Sequence, residues 1–177
     1  MKKAVLFAIF CFMIGNIWAQ SEERSILKVN PLSALIGTGS LFYEQKIDDQ
    51  HSWQIGFAYM GLRIDNTHFS GLAITPEYRI YVKKRSLSGF YVGPYLRYQN
   101  YAVTSDNDKG TYTSFGGGVL FGRQLIYKSG FILDMFAGPS YNSGRTKYTS
   151  GNGTTNEPGM GIDGFGLRIG MAIGFGF

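Results

Sequence analysis

The sequence predicts an all-β fold: an eight-stranded, antiparallel, up-and-down transmembrane β-barrel preceded by a cleaved signal peptide. Three observations carry this. From Phe165 to Phe177 every odd position is apolar and every even position is Gly, Ala or Arg. That is strict period-2 alternation, and its small-or-charged face suits a crowded polar interior with apolar side chains turned to lipid. The same alternation recurs along the chain between polar turns, with no helical period after the N-terminal stretch. Finally, 25 of the 177 residues are glycine and 16% are aromatic, while only 16% are charged. A soluble domain of this length would carry more charge.

The N-terminus supplies the address. Met1-Lys2-Lys3 is a charged start, Ala4 to Ile14 an apolar run, and Ala19 a small residue at a cleavage point. The run is shorter than the ~20 residues a membrane helix needs, so it reads as a Sec signal. Residues 1–19 are the expected signal peptide and 20–177 the barrel domain, exported to the outer membrane. Cys11 lies inside the apolar run behind Phe10, which is too large for a lipoprotein site, so the mature chain has no thiol chemistry. Removing Lys2 and Lys3 takes two charges from the formal +5, and the scattered remainder does not suit a nucleic acid.

The strands follow in order. Leu27 to Ile36 is the first, with Leu27 and Val29 on one face and Lys28 and Asn30 on the other. Gly37-Thr38-Gly39 links it to Leu41–Ile47, where Glu44 and Lys46 oppose Leu41 and Tyr43. After the turn Asp48 to His51, the third strand turns Trp53, Ile55, Phe57 and Tyr59 outward. Gly61 to Ser70 is polar and reads as a loop. The fourth strand turns Ile74, Pro76 and Tyr78 outward and Thr75, Glu77 and Arg79 inward. Lys83 to Ser88 is a basic turn. In the fifth, Phe90, Pro94 and Tyr98 oppose Tyr91, Tyr95 and Arg97; a polar loop follows over Thr104 to Gly110. The sixth, Thr111 to Ile126, loses a clear register near Arg123 and Leu125. The seventh turns Met135, Pro139 and Tyr141 outward and Asp134 inward, and Asn142 to Gly161 reads as a long loop before the last strand. Short turns at the terminal end and longer loops at the other fit an outer-membrane barrel, with the short link at Gly37 an exception. Pro31, Pro76, Pro94 and Pro139 fall inside these strands, where proline removes a ladder donor, so they are expected at bulges or rims.

Glu44, Lys46, Glu77, Arg79, Arg97, Asp134 and Arg168 share the inward face. Both signs occur, so a salt-bridge network can satisfy them, and eight strands leave room for little else. That predicts a plugged interior and no general porin. Two other readings compete. His68-Phe69-Ser70 with Glu77 invites comparison with a His/Ser/acid hydrolase, since outer-membrane lipid A deacylases carry a similar His-x-Ser on a lipid-facing strand. Here Glu77 has the opposite parity to His68 and Ser70, and no other catalytic set stands out. The second competitor is a soluble lipocalin-like ligand-binding barrel, which would need an apolar inside. No cofactor or metal-ligand spacing is present. Trp53, Tyr59, Tyr98, Tyr141 and Phe177 suit interfacial aromatic girdles.

The stretches Leu27-Lys28-Val29-Asn30-Pro31-Leu32, Tyr43-Glu44-Gln45-Lys46, Pro76-Glu77-Tyr78-Arg79-Ile80-Tyr81 and Gly89 to Tyr95, with the terminal Phe177, resemble the small outer-membrane β-barrel proteins of Bacteroidetes of the DUF3575 type. The resemblance spans the mature chain and names no activity. More distantly the chain is similar to OmpA- and OmpX-like eight-stranded barrels. That likeness implies that Phe175 and Phe177 form a signal read by the barrel-assembly machinery. The expected product is a monomer in outer-membrane lipid with a structural or surface-interaction role. Arg145 and Lys147, in the long loop, are its candidate contact with lipopolysaccharide phosphates.

Overall fold

A computed structural model describes residues 24–64, 67–83, 87–105, 108–150 and 163–177. The expected signal peptide, its cleavage point near Ala19 and residues 151–162 of the expected last loop lie outside them. The elements are β1 (Ser25–Val29), α1 (Pro31–Leu35), β2 (Thr38–Lys46), β3 (His51–Ile64), β4 (Thr67–Tyr81), β5 (Gly89–Ser105), β6 (Asp108–Ile126), β7 (Phe131–Ser150) and β8 (Gly164–Gly176). Each strand pairs antiparallel with the next, and β1 pairs with β8, so the sheet closes into an eight-stranded barrel. Pairing with both neighbours satisfies the backbone groups that an open edge would expose.

The predicted faces hold. Ser52, Gln54, Thr75, Glu77, Arg79, Gln99, Ser114, Gln124 and Asp134 are buried inside, while Phe57, Tyr78, Phe90, Leu96, Phe121 and Met135 are exposed outside. The glycines of β8 make room for what faces them. A Cβ on Gly170 would enter the Phe136 ring, and one on Gly174 would strike the Leu27 carbonyl and Lys28 Cγ. Near Arg123 and Leu125 the register runs on unbroken, Arg123 opposite Met135 and Leu125 opposite Leu133.

Several expectations need correction. The first strand stops at Val29. Asn30 then takes an extended backbone and its side-chain oxygen accepts from the Leu32 and Ser33 amides, at 2.9 and 3.1 Å, capping α1. Pro31 occupies the first helical turn, where its missing N–H has no partner to lose. The loops expected over 61–70 and 104–110 are largely strand. β3 and β4 pair out to Ile64 and Thr67, and β5 and β6 out to Ser105 and Asp108, leaving only 65–66 and 106–107 between them. β6 and β7 likewise pair out to Lys109 and Ser150. These extensions hold only scattered large apolar residues, such as Leu62, Ile64 and Phe69, so period-2 hydropathy marks them weakly, yet a paired backbone does not require an apolar face.

The remaining prolines sit mid-strand, not at rims. Pro76 pairs with Ile55 of β3 but has no ladder partner on β5. Pro94 pairs with Val119 and lacks a partner on β4; Pro139 pairs with Leu167 and lacks one on β6. The register is the same on both sides of each gap, so these are not bulges. Each ring turns outward and its missing donor costs one side of the ladder only. Among the described residues the single register shift lies between Lys109 and Gly110, away from any described proline.

The turn after β4 also departs from a simple hairpin. Leu87, at a left-handed φ of 67°, is buried against Ile26 and Ile132. It stoppers the end of the barrel where Arg24 and Phe177 meet.

Candidate functional site

The site is the barrel interior, and it has two levels. The lower is an ionic cluster. Lys28 Nζ donates to Glu44 Oε2 at 2.6 Å, Gln124 Oε1 at 2.7 Å and Asp134 Oδ2 at 2.8 Å. Arg79 reaches the same oxygens through Nη1, at 3.1 Å to Glu44 and 2.8 Å to Asp134, and its Nε donates to Glu77 at 2.7 Å. Neutral donors complete the carboxylates. Ser52 and Tyr81 donate to Glu44 Oε1, at 2.6 and 2.7 Å, and Tyr91 donates to Asp134 Oδ1 at 2.9 Å. Gln124 Nε2 donates onward to the Leu87 carbonyl at 2.8 Å, tying the stopper to the cluster. Arg79 also stacks on Tyr91, 4.2 Å from the ring centre. Every strand from β1 to β7 supplies one of these groups. All are buried, which is tolerable only because each charge has partners on both sides.

Of the inward set read from the sequence, Glu44, Glu77, Arg79 and Asp134 meet in this cluster. Lys46 does not: it sits at the rim, partly exposed, and pairs with Asp49 in the β2–β3 turn at 3.2 Å. Lys28, which does the bridging, is missing from that set. Its signal was its alternation with Leu27 and Val29, and a strand of five residues carries that weakly.

Arg97 and Arg168 form the upper level. They do not join the salt-bridge network expected of the inward charges: among the described residues neither arginine forms an ion pair. Arg168 stacks on Tyr95 and Phe136, at 4.5 and 5.3 Å. Arg97 Nε and Arg168 Nη1 are buried without a hydrogen-bond partner among the described residues. Both line a cavity of about 410 Å³ with Ser140, Asn142, Asp163 and the β8 run Phe165–Ile169. Asp163, unmarked by the sequence, accepts from Tyr112 at 2.6 Å.

Other candidates fall elsewhere. His68 and Ser70 lie on β4, not in a loop, opposite Arg63 and Gly61 on β3. Glu77 points into the barrel and is held by Arg79, so the three do not converge. Arg145 and Lys147 are exposed on β7, again not in a loop, beside Thr113 and Thr111 of β6. Phe175 rests edge-on against Phe131 with ring centres 5.9 Å apart. Phe177 lies in the closing seam: its amide donates to Ser25 O at 2.9 Å, and its carbonyl accepts from Ser25 at 3.0 Å and Arg24 at 3.2 Å. Aromatics gather outside at that end, with Tyr43 edge-on to Trp53 at 5.5 Å and Tyr127 near Phe131 at 5.7 Å. Toward the other end Tyr141 meets Phe165 at 5.0 Å.

An ionic interior inside a wall of large apolar side chains defines the class: a closed eight-stranded β-barrel turned inside out relative to a soluble one. Within it, the chain belongs to the family described as protein of unknown function (DUF3575), whose model matches residues 5–175. Neither curated proteins nor solved structures give a match.

Proposed function

We propose that this barrel is an integral outer-membrane protein with a structural or surface-interaction role, its interior sealed against general diffusion. One observation carries the reading: charges are buried while Trp53, Phe57, Leu72, Tyr78, Phe90, Leu96, Phe115 and Phe121 form an exposed outer wall. In water that wall would be an aggregation hazard; in lipid it is the solvated surface. Strands of 17 to 20 residues in β5 to β7 exceed the ~9–11 needed to cross the hydrocarbon, so their polar ends project beyond it. On that projection Lys109, Arg145 and Lys147 are exposed together, and clustered cations of this kind suit lipopolysaccharide phosphates. The ionic cluster joins seven strands across the lumen and leaves no room for a diffusive pore at its level.

Membrane fractionation with heat-modifiable gel migration tests the proposal. A folded, heat-modifiable species in the outer-membrane fraction is expected, and recovery in the soluble periplasm would overturn it. Mass spectrometry of lipid A tests the structural role separately. Acylation that changes with the protein and depends on Ser70 would replace that role with a hydrolase.

A further inference from the structure

The barrel wall is incomplete on one side. β8 pairs with β7 along its length, from Gly164–Asn142 to Phe175–Phe131, but with β1 only over Ile173–Gly176. From Gly164 to Ala172 its other edge has no strand partner among the described residues, because β1 ends at Val29 and the chain turns into α1. A single helical turn standing where a strand would run cannot satisfy that edge. Side chains along it are correspondingly bare: Phe165 is 91% exposed, and Leu167 and Ile169 are 68% and 69%, above most other outward residues. Directly inside this edge is the cavity with the two arginines.

Resting on the membrane reading above, we infer that this gap is a lateral opening through which an acyl-chain amphiphile ending in a carboxylate places its head group on Arg97 and Arg168. Phe165, Leu167 and Ile169 flank the tail. The head group answers three features of the cavity. It gives acceptors to Arg97 Nε and Arg168 Nη1, buried donors that are costly to leave unmet. Among the described residues two guanidinium groups and the Asp163 carboxylate line the space, a net single positive charge that suits a monoanion. A volume of about 410 Å³ holds a small head group and the start of a chain. Entry from the side suits a lumen that the ionic cluster and the Leu87 stopper close at the terminal end.

The test uses the full chain in phosphatidylcholine nanodiscs, with binding of hexadecanoate followed by the carboxyl signal of its ¹³C-labelled form. Saturable binding of one hexadecanoate per barrel is expected, with none of methyl hexadecanoate, acetate or inorganic phosphate at matched concentration. Arg168→Gln and Arg97→Gln should each weaken binding at least tenfold, and Arg168→Lys should recover part of it. Heat-modifiable migration of each variant shows that it still folds. Equal binding of acetate or phosphate would mean a free-anion site and overturn the proposal. So would hexadecanoate binding indifferent to both glutamine variants, or no binding at all to a barrel properly inserted in the disc. A chain that never enters the disc instead defeats the membrane reading itself, so the two failures are distinguishable.

Discussion

Replacing Lys28 by methionine isolates what the ionic cluster contributes. The side chain keeps most of its length and fits beside Gly174, but three short hydrogen bonds vanish, to Glu44, Gln124 and Asp134. Glu44 Oε2 and Asp134 Oδ2 then compete for Arg79 Nη1 alone while Glu77 holds its Nε, so three buried carboxylates share one cation. Removing one partner from a buried ion pair costs about 3–5 kcal/mol, since the remaining charge stays buried and under-compensated. Urea unfolding of the purified barrel in phospholipid vesicles reads the loss, and Trp53 on the outward face of β3 reports the transition. Arg168→Met is the control. Arg168 makes no ion pair among the described residues and loses mainly its stacking on Tyr95, on the order of 0.5–2 kcal/mol. Adding Asp134→Asn to Lys28→Met relieves the surplus charge, so the pair should be less destabilising than the sum of the singles by about 1–3 kcal/mol. A Lys28→Met barrel within about 0.5 kcal/mol of wild type, the ordinary scatter of surface substitutions, would refute the cluster's role. So would an Arg168→Met barrel equally damaged.

Ile169→Arg puts a charge on the outer wall and should cost about 2–4 kcal/mol in the same vesicle assay if the residue sits near the midplane; no effect would put Ile169 out of the lipid. Asn30→Ala removes the cap of α1 and should cost about 1 kcal/mol, with Asn30→Ser close to wild type. The Gln50 amide and His51 hold the Asp48 carboxyl below its usual range. A depressed carboxylate stabilises above its unfolded pKa of ~3.9 and loses that contribution as pH falls through the folded value. Asp48→Ala should therefore be less stable than wild type at pH 6, and urea midpoints of the two should converge in strong acid. Deleting Phe177 removes three backbone bonds of the seam, so heat-modifiable protein in isolated membranes should fall; undiminished insertion would show that the seam does not depend on it.

How far the sequence could be read depended on which strands carry a large apolar outer face. Where one face of a strand is large and apolar, as in Trp53 to Tyr59 or Phe165 to Phe175, alternation gave strand, face and neighbour order together. At 61–64, 67–70 and 142–150 large apolar residues are sparse and the same ladder continues unmarked. β1 misled for a different reason. Leu32, Leu35 and Ile36 look like a continuing apolar strand, but Asn30-Pro31 starts a helix, and local capping chemistry outweighed the pattern. Within the site, parity found Glu44, Glu77, Arg79 and Asp134, but parity cannot pair them. Which cation reaches which carboxylate depends on the stagger between strands. That stagger brings Lys28 on β1, not Arg168 on β8, to Glu44 and Asp134.

The cluster and the gap have one cause. β1 contributes a ladder of only four pairs to β8, Ile26 to Val29, where β5 and β6 share seventeen. At ~0.5–1.5 kcal/mol net per hydrogen bond, so short a ladder is the weakest join in the wall. Lys28 lies within those four pairs, and its bonds run past glycine-rich β8 to β6 and β7 through the lumen. Gly174 must lack a side chain for that reach to be possible. Side chains thus hold shut the stretch that backbone alone holds poorly. Above Val29 both devices stop together. The β1 ladder ends, and the next interior cations, Arg97 and Arg168, have no anion in bonding contact among the described residues. A barrel that merely tapered there would not need two half-buried arginines lining one cavity. Arg97 Nε and Arg168 Nη1, left without hydrogen-bond partners among the described residues beside the unpaired stretch 164–172 of β8, fit a wall fastened at the terminal end and left open for an anion above it.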